Sequence, residues 1–332
     1  MNKNKLDSII LELFKRSKSV PRRCCFPGCP DIAIDSHLLQ KNGILKQLSE
    51  NTNKLYELKH NPFINEKYYF KPEGINKTFT FPGFCNKHDT QIFKAIEDQF
   101  VDYFDYKTQL LFAYRAAVNE RRKKEILVTF YDKILNSNIL RSNFHPAYFQ
   151  KITFFKEQEI LGIKDMIDSE KLLFGDICGE FSSKKFEFVT CKLSRVDVCS
   201  SGVFSYETTL ELYELYKQNN VERPPSEIYF NFLPVQNNSY LIIGCACDVK
   251  DRCWQYIDLI VQDAIDNKLQ HISDLLLSRL ENWLCSSTFY SHNIQDRETE
   301  IVKCINEAID NLNERKSLDI NLFDRLKHNI DD

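Results

Sequence analysis

Glycine is scarce in this chain, with nine residues in 332. That shortage disfavours phosphate-cradling loops, and neither a G-x-G-x-x-G run nor a P-loop occurs. The G-x-S-x-G elbow of serine hydrolases is missing as well. No internal repeat and no low-complexity tract is present. There is no stretch of about eighteen apolar residues, so a membrane-spanning helix is not expected. The opening MNKNKLDSIILELFKRSK spaces Leu6, Ile9, Ile10, Leu13 and Phe14 as an amphipathic helix interrupted by charges, unlike a signal peptide. A cytoplasmic protein without a membrane partner is the expectation.

What the chain has in quantity is aromatic and apolar residues. Hydrophobic residues make up 43 % and aromatics 13 %, enough to bury a substantial core. The length suits one large domain or two ordinary ones. Twelve cysteines are present. Without an export signal their thiols should stay reduced. Cys178, Cys191, Cys199, Cys245, Cys247, Cys253, Cys285 and Cys304 stand in apolar surroundings and read as core or incidental thiols. Cys245 and Cys247 lie two apart on an expected strand, facing the same way. The net charge of −3 is unevenly spread. Residues 1–88 carry 15 Lys and Arg against 8 Asp and Glu, an excess compatible with a nucleic-acid partner.

The periodicities imply an α+β fold. An N-terminal zinc-knuckle and helical part, residues 1–145, precedes an antiparallel β-sheet with C-terminal helices, residues 146–332. In the first part, Tyr68–Tyr69–Phe70 and Phe79–Thr80–Phe81 flank a Pro72–Glu73–Gly74 turn, as in a hairpin leading to Cys85. Residues 89–142 read as helical, with Asp89 or Thr90 as the cap and Ile92, Phe93, Ile96, Phe100 and Phe104 as the apolar stripe. The charged run Glu120–Glu125 reads as a solvated helix face. In the second part, four or five strands are expected, among them 228–234 and 240–247 joined at Gln236–Ser239.

The feature that carries chemistry is a set of metal-ligand residues. Zinc takes four ligands in a tetrahedron, brought by pairs that converge at tight turns. One pair lies in Cys24–Cys25–Phe26–Pro27–Gly28–Cys29, and the other is Cys85 and His88, preceded by Pro82–Gly83. Cys29, Cys85 and His88 are therefore assigned to zinc, with Cys24 or Cys25 as the fourth ligand. Cys24 is favoured because the longer loop accommodates the Pro–Gly turn with less strain. Four protein ligands leave no open position, so the ion is structural.

Between the two halves stands Asp35–Ser36–His37. A histidine placed between two zinc knuckles resembles the HNH, or ββα-metal, endonucleases, over about residues 24–100. In such enzymes a hairpin carries an Asp–His or His–His pair and a following helix completes a metal site. The resemblance implies His37 as the general base, Asp89 as the helix residue that binds a catalytic Mg²⁺ or Mn²⁺, and DNA or another nucleic acid as substrate. Ser36 stands where that family carries its first metal ligand. The S-H…G-F-C-x-K-H-D pattern also resembles bacterial proteins suspected in defence against phage. The residues leave two other roles open: His37 packing beside or binding the zinc, and Asp89 capping its helix. The function these readings imply is a zinc-stabilised endonuclease. The alternative is a non-catalytic zinc-finger sensor or adaptor that meets a protein partner through its second part.

Overall fold

A computed structural model describes residues 3–60, 68–218, 225–310 and 315–329. In chain order the elements begin with α1 (Lys3–Lys18), β1 (Asp35–His37), α2 (Lys46–Leu48), β2 (Lys54–His60), β3 (Tyr68–Gly74), β4 (Thr80–Pro82) and α3 (Asn86–Phe93). Next come α4 (Tyr106–Leu135), α5 (Asn138–Arg141), α6 (Pro146–Ile177), β5 (Phe186–Ser194), β6 (Val198–Ser205), α7 (Thr209–Lys217), β7 (Glu227–Val235) and β8 (Asn238–Ala246). The chain closes with α8 (Lys250–Ile265), α9 (Gln270–Ser278), β9 (Trp283–Cys285), α10 (Ser287–Asn293) and α11 (Glu298–Asp310).

The fold is α+β around an antiparallel seven-stranded sheet of order β3-β2-β9-β6-β7-β8-β5. Helices cover both faces, so the central strands are buried on both sides and read as near-continuous apolar runs. Along β7, Ile228, Phe230 and Phe232 face α8 and α9, whereas Tyr229 and Leu233 face α4. The period of two thus divides one strand between two cores. Helix α4 starts at Asp105, whose side chain accepts from the Thr108 N–H at 2.9 Å. Its first half packs Leu110–Val118 under the sheet, and its second half packs Phe130 and Ile134 on α1 and α6.

Among the described residues, five strands come from after 145, as expected, but the sheet also runs across that division. β9 inserts between β2 and β6, pairing Tyr56 with Cys285 on one side and Val198 with Cys285 on the other. The aromatic runs at 68–70 and 79–81 do not pair with each other. β3 pairs with β2, and β4 pairs with β1, because the apolar faces of the two runs belong to different cores.

Three helical expectations are corrected. Helix α3 starts after Cys85, so Asp89 sits in its interior and is no cap. The stripe ends at Ile96, since Phe100 and Phe104 are exposed in a loop. The run Glu120–Glu125 is not a solvated face: Arg122 is buried, and Arg121 and Lys123 reach Glu170 and Glu281 at 3.1 and 2.7 Å. The 32-residue α6 has no clear signature in the sequence. It buries Ile152, Met166 and Leu173 but exposes Phe154, Phe155 and Ile160, so no clean amphipathic stripe marks it. Cys245 lies in β8 and is buried, whereas Cys247 lies beyond its end and is exposed. No helix among the described residues is long and apolar enough to cross a membrane.

Candidate metal centre

The first half of the metal cluster is a small antiparallel knuckle. Arg23 bridges Ile32, the Cys24 N–H donates to the Asp31 carbonyl at 2.8 Å, and the Ala33 N–H to the Arg22 carbonyl at 2.8 Å. At its tip the Cys29 N–H closes a turn on the Phe26 carbonyl at 3.1 Å, with Gly28 at φ +71°, a left-handed conformation that favours glycine. The second half is the first turn of α3. Cys85 is the residue before the helix, and His88 lies one turn along, on the same side. The Cys25 N–H donates to the Gly83 carbonyl at 3.0 Å and the Ile34 N–H to the Phe84 carbonyl at 2.8 Å, which holds the halves together.

The ligand atoms of Cys24, Cys29, Cys85 and His88 all lie within 4.8 Å of one another. Cys29 Sγ and Cys85 Sγ are 3.9 Å apart, and His88 Nδ1 lies 3.5 Å from Cys24 Sγ and 3.3 Å from Cys85 Sγ. A zinc tetrahedron, with bonds of about 2.3 Å to sulfur and about 2.0 Å to nitrogen, has edges of about 3.8 Å between sulfurs and about 3.5 Å from sulfur to nitrogen. The donor set and its spacing therefore fit a four-coordinate zinc ion. Phe26 stacks on the His88 ring at 3.8 Å and fixes its plane. Cys25 is turned away toward Arg121, Arg122 and Glu170, and burial pushes its thiol up to about 11.

His37 is outside this cluster. It ends β1, which pairs with β4 so that His37 lies opposite Thr80. A two-stranded ribbon followed by α3, stapled by the Cys/His cluster, is thus a ββα unit. Residues 38–79, including the β2–β3 hairpin, are inserted between its two strands. His37 Nε2 is 3.1 Å from the Ile75 carbonyl. A carbonyl only accepts, so Nε2 is the protonated nitrogen and Nδ1 carries the lone pair. Burial, then the charges of Lys41 and Arg115, hold the imidazole below its ordinary range, while the Ile75 carbonyl and Asp89 pull the other way.

Asp89 projects from α3 toward the same place. Burial raises its carboxyl, opposed by Arg115, Ser36 and His37. Arg115 is buried behind Asp89, stacked 3.9 Å over Phe93. It reaches Glu97 at 2.6 Å and Asp89 at 3.5 Å, so Glu97 is its main partner. Ser36 is buried, and its Oγ has no hydrogen-bond partner that meets ordinary geometry. Asp35 is exposed on the opposite side of the strand. Sequence reasoning missed Arg115, Glu97 and Ile75, whose only signal is a place in the fold. Among the described residues, the zinc set is the one group of three or more metal-ligating side chains that converge, and His37 and Asp89 gather no third.

No protein-family model, curated protein or solved structure matches the chain.

Proposed function

We propose that the protein is a zinc-stabilised, HNH-like hydrolase of phosphodiester bonds in nucleic acid. The observation that carries this reading is His37 locked by its Nε2 on the Ile75 carbonyl and lying beside Asp89 of the zinc-stapled helix. A fixed tautomer with a free Nδ1 and a lowered pKa is a neutral base at neutral pH, able to take a proton from water. The zinc staple sets the distance between β1 and α3, which is what positions the base against Asp89.

The Asp89 carboxylate and the Ser36 hydroxyl beside it form a small oxygen set that fits a hard divalent cation keeping most of its own water. A bound Mg²⁺ or Mn²⁺ there would stabilise negative charge on the scissile phosphate. Arg115 positions Asp89 from below and, being buried, does not itself reach substrate.

The test is cleavage of DNA and of RNA with Mg²⁺ or Mn²⁺. Wild type should cut one of them, and His37→Ala should lower the rate by about 10²–10⁴-fold. Because the His37 pKa is held low, activity should persist to lower pH than an exposed imidazole allows and fall as His37 becomes protonated. Equal rates for wild type and His37→Ala would sink the mechanism. A second reading, a non-catalytic adaptor, is favoured by the Arg115 contact that partly occupies Asp89. Nucleic-acid binding with no cleavage under any of these conditions would support it.

A further inference from the structure

Helices α4, α6 and α7, strands β6 and β7 and the end of α9 line an open cavity of about 330 Å³. That is within the size range of small-ligand sites. Helix α7 closes one side with Thr209, Leu212 and Tyr216, spaced three and four apart on one helix face. Met166, Val203, Phe204 and Leu212 supply an apolar wall.

The charged lining is unbalanced: Glu120, Asp165, Glu207 and Glu227 stand against Lys124 and Arg279. Most of these groups are committed elsewhere. Lys124 lies 3.2 Å from Glu120 and 3.5 Å from Glu159. Glu207 accepts from Ser205 and Ser226 and reaches Arg252 at 3.5 Å. Arg279 donates to the carbonyls of Ser205 and Tyr206.

Asp165 and Glu227 differ from the rest. Asp165 Oδ2 accepts from the Tyr216 hydroxyl at 2.9 Å. Glu227 Oε2 accepts from Ser169 and, at 2.9 Å, from Tyr229. Among the described residues no Lys or Arg forms an ion pair with either carboxyl, and no hydrogen bond reaches Asp165 Oδ1 or Glu227 Oε1. Glu227 is only 9 % exposed. Burial pushes its carboxyl up to about 8 and raises that of Asp165 too. Glu227 is buried and Asp165 half-buried, and Lys124 acts on both only at longer range. Carboxyls without a directly paired cation are costly to ionise there, and a ligand bearing positive charge relieves that cost.

We propose that this cavity is a binding site for a small organic cation, an ammonium or amidinium group on a compact apolar body, with Asp165 and Glu227 taking the charge. The apolar wall would hold the body of the ligand, and α7 would close over it. The site lies apart from His37 and the zinc cluster, so it stands or falls independently of the hydrolase reading.

The probes are benzamidine and phenethylamine, with benzamide and 2-phenylethanol as neutral counterparts. Binding to the zinc-loaded chain of residues 1–332 is measured by calorimetry and thermal shift. The cations should bind and raise Tm while the neutral compounds do neither. Asp165→Asn and Glu227→Gln should each weaken cation binding by about tenfold or more. Leu212→Trp, which fills the cavity from α7 and leaves both carboxyls in place, should abolish it; circular dichroism checks that each variant is folded. No binding of either cation to wild type, equal binding of the neutral compounds, or unchanged affinity in the Asp165→Asn/Glu227→Gln double variant or in Leu212→Trp would overturn the proposal.

Discussion

At the scale of single residues, Cys24 and Cys25 show how backbone direction selects a ligand. Their successive amides bond in opposite directions, Cys24 to Asp31 and Cys25 to Gly83, as in an extended strand. Their side chains therefore diverge, one toward His88 and the other toward Arg121. Metal content separates the two directly. Cys25→Ser should purify with one zinc per chain, whereas Cys24→Ser should fall well below one. Cys24→Ser should also lose stability on the order of several kcal/mol, because zinc binding is folding free energy in such knuckles. Elemental analysis and thermal unfolding would check this, and equal zinc content in the two variants would refute the assignment. The residue pairs with their Pro–Gly turns were legible in the sequence, since a knuckle is a local structure. The choice between adjacent cysteines was not, because it depends on which side of the strand faces α3.

At the scale of elements, the α4–α6 pair is joined by charge as well as by packing. Arg121 reaches Glu170 of α6 at 3.1 Å, and Lys124 reaches Glu159 at 3.5 Å. The helices approach closely at Gly162, where a Cβ would stand 3.0 Å from the Lys124 side chain. Burial pushes the Glu170 carboxyl up to about 7 against the pull of Arg121 and Arg122. A carboxyl raised in the folded state binds more protons there than in the unfolded chain. Its contribution is complete below its unfolded pKa and is lost as pH rises toward about 7. Wild type should therefore lose up to about 3 kcal/mol relative to Glu170→Gln between about pH 4.5 and 8. Urea unfolding of both proteins across that range is the measurement, and parallel pH profiles would contradict it. The sequence showed the charged run but read it as solvated. Burial of its residues follows from α6, which lies far along the chain and has no clear apolar stripe.

At the scale of the whole molecule, the three-residue β9 is the link that makes one sheet of two chain segments. Cys285 pairs with both Tyr56 and Val198, and Trp283 beside it is fully buried. Leu284 packs into the same core as α4 and the Cys/His cluster. A fragment of residues 146–332 would expose the face of β6 and β7 that α4 covers and leave β9 without β2. It should not unfold cooperatively when expressed alone, as judged by denaturation and amide dispersion in NMR spectra. A sharp two-state transition in that fragment would show that the two segments are separate folding units.

What the sequence determined by itself is what neighbours along the chain decide. It marked the cysteines and histidine that gather in the metal-ligand cluster, the α+β class, and the strands 228–234 and 240–247 with their turn. Each rests on turn residues or on periodicity within a few positions. Tertiary structure alone decided the pairings between distant segments. These are β1 with β4 around a 38–79 insertion, β2 with β9, His37 against Asp89 and Arg115, and the carboxyls of Asp165 and Glu227 around one cavity. The reason is physical: a short apolar run has the same local signature whichever partner it meets. The partner is chosen by which faces can be buried together once the whole chain is packed.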